Sequence, residues 1–142
     1  MKALTIQQPD ASMIADGEKW VENRTWPCAL WLSGPLAIHA GKGSRYLTAK
    51  ELATYPTGVV VAVAHRVACV RLWRVAEDRR STALEELGID VEEFLAHKHT
   101  EGPWCWVLRD VGKLACPIPA KGRQGLWEWK QPASVLYKRG SE

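Results

Sequence analysis

A chain of 142 residues, 46% hydrophobic and 25% charged, is long enough to bury one core without disulfide or metal staples and short for two domains. This is the composition of a globular protein, neither disordered nor collagen-like. A formal net charge of +3 permits a nucleic-acid partner but falls short of the strongly basic footprint of a dedicated one.

Eight tryptophans stand against a single phenylalanine. Trp joins a large stacking face to an N–H donor, so it serves cores and base-stacking surfaces alike; most of the eight are expected in the core. Cys28, Cys69, Cys105 and Cys116 are far apart with no C-x-x-C pair, which points to buried thiols rather than disulfides or zinc ligands. The opening Met1-Lys2-Ala3-Leu4-Thr5-Ile6 lacks the pattern of an export signal. The apolar stretch Gly58–Val75 is interrupted by His65, Arg66, Arg71 and Arg74, too many for a membrane span. A cytoplasmic protein with no membrane contact is expected.

Ala3–Ile6 alternates as a first strand, which Gln7-Gln8-Pro9 ends. Asp10 stands at an N-cap position before Ala11–Ala15, and Gly17 is the stop. Trp20–Arg24 reads as a second strand, with Val21 and Asn23 on one side and Trp20, Glu22 and Arg24 on the other. After Gly34-Pro35, Leu36–Ala40 is a strand by composition. Gly41-Lys42-Gly43-Ser44-Arg45 follows it. Its spacing is not that of a Walker sequence, yet it offers backbone amides and two cations to a phosphate, or forms a solvated loop.

Thr48 and Glu51 form a capping box for a helix reaching Tyr55. Val59–Val75 reads as one long or bent strand, ending in the alternation Val70-Arg71-Leu72-Trp73-Arg74-Val75. Glu77-Asp78-Arg79-Arg80 is a charged turn. Short helices open at Thr82 and at Asp90, and His97–Thr100 is a polar loop. Trp104–Leu108 is a strand, Arg109–Lys113 a turn region, and Leu126–Trp129 the last strand. No linker divides the chain, so the boundaries are one domain over 1–132 and a basic, weakly patterned tail over 133–142.

Several segments are similar to the successive signatures of the ASCH domain: Leu4-Thr5-Ile6-Gln7-Gln8-Pro9, Gly17–Trp26, Gly34–Ala40, Gly102–Leu108, Pro117–Gly122 and Gly125-Leu126-Trp127. They cover nearly the whole chain in order. The resemblance implies an α+β, PUA-like fold, a small mixed β-barrel with short peripheral helices and a cleft between barrel and first helix. Many members carry an aromatic after the Gln-Pro pair, where this chain has Asp10. One amidohydrolase branch uses a lysine, a threonine three residues on and a distal glutamate. Lys19 matches the lysine, Glu22 occupies the threonine position, and Glu77 is a loosely placed distal acid.

Reading a single-stranded base requires an aromatic face, donors and acceptors for its edge, and cations for phosphate. Trp26 supplies the face, Gln7 or Gln8 the edge, and Glu22 an acceptor for an exocyclic amine. Lys19, Arg24, Lys42 and Arg45 are candidates for phosphate, with Lys121 and Arg123 as a second basic contact. The same groups admit metal-free hydrolysis. Lys19 against a Trp face, with a lowered pKa, would be the base with Glu22 as its catalytic partner, and His39 and Tyr46 offer further parts. His39, a lone histidine ending a strand, is more often a hydrogen-bonded structural residue. The expected function is RNA, single-stranded nucleic-acid or nucleotide binding; the alternatives are a metal-independent ribonuclease or modified-cytidine amidohydrolase, and a protein-interaction module. No metal or cofactor is expected.

Overall fold

The computed structural model describes residues 1–28, 34–43 and 47–138. Along them run β1 (Lys2–Ile6), α1 (Asp10–Ala15), β2 (Val21–Arg24), β3 (Leu36–Ala40), α2 (Ala49–Thr54), β4 (Val59–Arg71), α3 (Leu72–Asp78), α4 (Thr82–Glu86), α5 (Val91–Ala96), β5 (Trp104–Pro119) and β6 (Leu126–Glu128). The strands form one sheet in the order β2-β5-β4-β3-β1-β6, with β1 and β3 parallel and every other pair antiparallel.

The sheet is strongly curled. Arg24 at the end of edge strand β2 donates to the backbone oxygen of Thr5 on β1 at 3.0 Å, four strands away in the sheet order. On a flat sheet that separation would be about 19 Å, at roughly 4.8 Å per strand. This is the α+β arrangement expected from the sequence, a curled half-barrel with short helices packed against it.

Three apolar clusters cover the two faces. The barrel interior joins Leu4, Ile6, Leu36, Ile38 and Trp106 to Ala11, Ile14 and Ala15 of α1. Ile14 is fully buried, which stabilises the helix by roughly 1.5–3 kcal/mol. On the outer face, Val21, Val70, Cys105 and Val107 pack under Val75, Leu84 and Phe94 of the helices, while Ala3, Ala37, Val60 and Val63 meet Leu114, Trp127 and Trp129. Strand β3 is buried along its whole length, which explains why every residue but His39 is apolar.

Three local readings need correction. Asp10 is not the N-cap: it is the first helical residue, and Pro9 precedes it without a side-chain cap. Gln8 takes over part of that task, its Oε1 accepting the Ser12 amide at 3.0 Å. Leu72–Val75 is the start of α3 rather than strand; a helix puts Leu72 and Val75, three residues apart, on one apolar face, where a strand would put them on opposite faces. Arg109–Lys113 is no turn, for β5 runs straight through it, with Asp110 in the left-handed region (φ 52°) and ion-paired to Arg66 at 2.6 Å.

Beyond β6 the chain through residue 138 pairs back onto β5, with Ala115 N–H to Leu136 O at 2.8 Å and Lys138 N–H to Lys113 O at 2.7 Å. Gly112 makes room for this: a Cβ there would sit 2.7 Å from the Tyr137 ring. The capping box of α2 is present as expected. Among the cysteines only Cys105 is buried; Cys28 and Cys69 are half-buried neighbours and Cys116 is exposed. No helix among the described residues is long and apolar enough to cross a membrane.

Candidate nucleic-acid interface

An open cleft of about 1320 Å³ lies where the ends of β1, β2 and β3 meet the loop between β5 and β6, not between the barrel and the first helix as expected, for no residue of α1 lines it. Arg24, Lys42, Lys121 and Arg123 line it, with Trp26, Gln7, Gln124, Thr5 and His39, and no carboxylate stands among its described lining residues. Gln7, Arg24, Trp26, His39, Lys42, Lys121 and Arg123, chosen from the sequence, are therefore brought together. Arg45 and Tyr46 lie outside the described residues.

Each wall is held by identifiable contacts. Gly58, at φ 69°, lets the Lys42 stem lie against its backbone, where a Cβ would come within 2.7 Å of the Lys42 Cε. Gly58 also accepts the Ala120 amide at 3.0 Å and donates to Ala40 O at 2.8 Å, which joins the β5–β6 loop to β3. Trp26 packs edge-to-face with the buried Trp106 at 4.9 Å between ring centroids. Its carbonyl accepts the Trp106 indole at 3.3 Å.

His39 is a structural pin. It follows a register shift in the β3–β4 ladder at Ile38/His39, the kind of irregularity that re-aims a side chain beside a site. Its Nε2 lies 2.7 Å from Ala120 O. A carbonyl only accepts, so the proton is assigned to Nε2 and Nδ1 is left to accept from the Thr5 hydroxyl at 3.2 Å. That hydroxyl in turn accepts the Trp127 indole at 3.1 Å. Gly122 rests on this chain, since a Cβ would stand 2.6 Å from His39 Cε1 and 2.8 Å from Thr5 Oγ1.

Burial, with a contribution from the Lys42 charge, lowers the His39 pKa against the opposing effect of the Ala120 carbonyl. A folded pKa below the unfolded one means that the unfolded chain binds the proton more readily. Stability from His39 is thus complete above the ordinary value of 6.5 and is lost as pH falls below it. Melting temperatures measured from pH 7.5 to 5 are expected to fall less steeply in His39→Gln than in the parent. Parallel curves would assign the acid sensitivity elsewhere, with His97, also lowered by burial, as the next candidate.

Gln8, Lys19 and Glu22 do not line the cleft. Gln8 is fully buried, and its Nε2 spends both hydrogens, on Ser12 Oγ at 2.8 Å and Pro56 O at 2.7 Å. Lys19 and Glu22 form the middle of a chain of alternating charge: Asp10 to Lys19 at 2.8 Å, Lys19 to Glu22 at 3.3 Å, Glu22 to Arg24 at 3.1 Å. The side chains of Lys19 and Glu22 are 5% and 8% exposed. Burial alone would lower the Lys19 pKa, but the Glu22 charge and the Asp10 hydrogen bond and charge outweigh it, so the net shift is upward. The expectation of a lowered, base-competent lysine is therefore corrected. Glu77 is exposed on α3 and apart from the cleft lining.

The chain is similar to crystal structures of an ASCH protein from Zymomonas mobilis. That protein aligns at 16% identity and a TM-score of 0.45, over 97% of this chain and 87% of the other. Two mutants of it align at 17% identity, one with a TM-score of 0.47 over 97% and 89% of the two chains, the other with 0.46 over 97% and 87%. No protein-family model and no curated protein matches the sequence.

The cleft also uses residues that no sequence pattern singled out. Thr5 carries the hydroxyl between His39 and Trp127, Gly58 seats Lys42, and Gln124 adds an amide beside Lys121 and Arg123. Asn23, on the opposite face of β2 from Arg24, holds the loop before β5 through Glu101 N–H at 2.9 Å, Gly102 N–H at 2.8 Å and His99 O at 2.7 Å. A signal for Gly58 existed in its place between a turn and a β-branched run; none existed for Thr5.

Proposed function

We propose that the protein is an ASCH-type domain that binds RNA, taking a base against Trp26 and phosphate between Arg24, Lys42, Lys121 and Arg123. The observation that carries this reading is the cleft lining, four cations, an indole and two glutamines without a carboxylate. Anionic ligands gain from such a surface, and a glutamine matches donor–acceptor pairs on a base edge. Hydrolysis is less well served. Lys19, the candidate base, is a buried cation between two carboxylates, and Glu22 is withdrawn from the surface.

Labelled single-stranded RNA incubated with the protein in EDTA is expected to be retained uncleaved, with affinity that falls as salt rises. Arg24→Gln is expected to reduce the slope of log affinity against log salt by about 0.7. RNA cleavage in EDTA would replace this reading with a metal-independent ribonuclease. No RNA binding would leave the protein-interaction module.

A further inference from the structure

A second cleft, of about 800 Å³, opens between the ends of β4 and β5 and helices α3 and α4. Arg71, Arg74 and Arg80 line it with Trp104, and Asp78 is the carboxylate at its rim. None of the three arginines enters an ion pair among the described residues. Two of them are arranged around indoles instead. The Arg71 guanidinium lies 5.2 Å from the Trp104 ring and 5.7 Å from the Trp73 ring, and that of Arg74 lies 5.1 Å from Trp73. Trp73 is half exposed, an unusual place for the largest apolar side chain on a short helix.

The two clefts are joined through the sheet. Arg24, which lines the first, is directly paired with Trp104 on β5, and Trp104 with Arg71 on β4. Directly paired residues share a face, so Arg24, Trp104 and Arg71 form one row across three strands, spanning about 10 Å at roughly 4.8 Å per step. The next row inward on that face, Glu22–Trp106–Cys69, leads into the barrel core. Close to it the backbone N–H of Cys28, two residues after Trp26, meets Cys69 Sγ at 2.9 Å. The outer row therefore alternates cation, indole, cation between one cleft and the other, and Trp73 with Arg74 extends it.

We infer that the second cleft is a further single-stranded RNA site, and that a strand held in the first continues along the Arg24–Trp104–Arg71 row to stack on Trp73. The chemistry is that of single-strand binding in general: cations that follow the backbone, and aromatic faces that accept any base. Arginine suits it because its guanidinium binds phosphate while stacking on an indole. The path rests on the proposed use of the first cleft; the Arg71–Trp73–Arg74 surface rests on its own geometry.

The test compares a fluorescein-labelled decauridylate with uridine monophosphate, on the parent, on Arg71→Gln/Arg74→Gln and on Trp73→Ala. The arginine pair is expected to lower the decamer salt slope by about 1.4, two phosphate contacts at roughly 0.7 each. Trp73→Ala is expected to weaken the decamer about 5- to 150-fold. Both variants should bind the mononucleotide as the parent does. Trp73 is exposed, so its replacement keeps the test decisive even where the Arg71 change unsettles the fold.

Decamer affinity unchanged in Trp73→Ala, or mononucleotide affinity lost in step with it, overturns the inference. Decamer binding that needs Trp73, in a protein that does not hold the mononucleotide, supports the second site and overturns the reading of the first. A parent protein that binds neither probe overturns both.

Discussion

Replacing Lys19 with methionine is expected to lower stability by about 3–5 kcal/mol, because it strips Glu22 of a counter-charge in a site where water cannot replace it. For a chain of this length that is a drop of roughly 10–20 °C in melting temperature. The ordering of the charges makes Lys19 the critical member. Asp10 is 44% exposed, so it is solvated without its partner, whereas the buried Glu22 keeps Arg24 as its one counter-charge and the Asn23 amide as its other donor. The control is Lys19→Met combined with Glu22→Leu. A buried ion pair exchanged for well-packed apolar side chains is often near neutral, so the double variant should recover much of the loss. The coupling energy from the cycle then measures the pair itself. A single-variant cost below about 1 kcal/mol would mean a hydrated Lys19, and would reopen its candidacy as a base.

The same chain carries a functional consequence. Glu22 and the Thr5 carbonyl both accept from Arg24 Nη2, at 3.1 and 3.0 Å. One end of the guanidinium is thereby fixed while the rest faces the cleft. Glu22 is thus a positioning residue for a cation that the ligand would meet, and Lys19 keeps Glu22 in place. The variant with both charges removed is expected to fold but to hold Arg24 loosely.

How much of this was legible in the sequence follows from the range of the interactions. Strands β1, β3 and β6 and helices α2, α4 and α5 carry local signals, alternation or caps: Thr48, Ser81 and Asp90 all accept the amide three residues on. The end of β4 and the continuity of β5 are decided by pairing between residues 33 to 60 apart, from Arg71 with Trp104 to Val59 with Pro119, which local pattern does not report. The site divides along the same line. Lys42, Lys121 and Arg123 sit in glycine-bounded loops that can only face outward, and they do line the cleft.

Gln7 and Gln8 look equivalent in a motif, yet the alternation of β1 carries past its end: Ile6 inward, Gln7 outward, Gln8 inward. That period was available and separates the cleft-facing amide from the structural one. The partnership of Asp10 with Lys19 was not available, since it requires α1 to fold the two together across nine residues.

Trp26→Ala is expected to weaken RNA binding by about 1–3 kcal/mol, a roughly 5- to 150-fold loss, with the salt slope unchanged. Stacking neutralises no phosphate, so it moves the affinity and leaves the counterion term alone. Arg24→Gln should do the reverse and lower the slope. The pair of variants therefore separates the two halves of the site by different observables rather than by size of effect. Trp26 also packs on Trp106, and truncation disturbs that contact. Its main-chain carbonyl, the acceptor for the Trp106 indole, survives the substitution, which limits the damage. Trp26→Phe keeps an aromatic face of smaller area and is expected to restore most of the affinity. Equal affinity in the parent and in Trp26→Ala would reduce Trp26 to a packing residue, and the cleft would then recognise phosphate without reading a base.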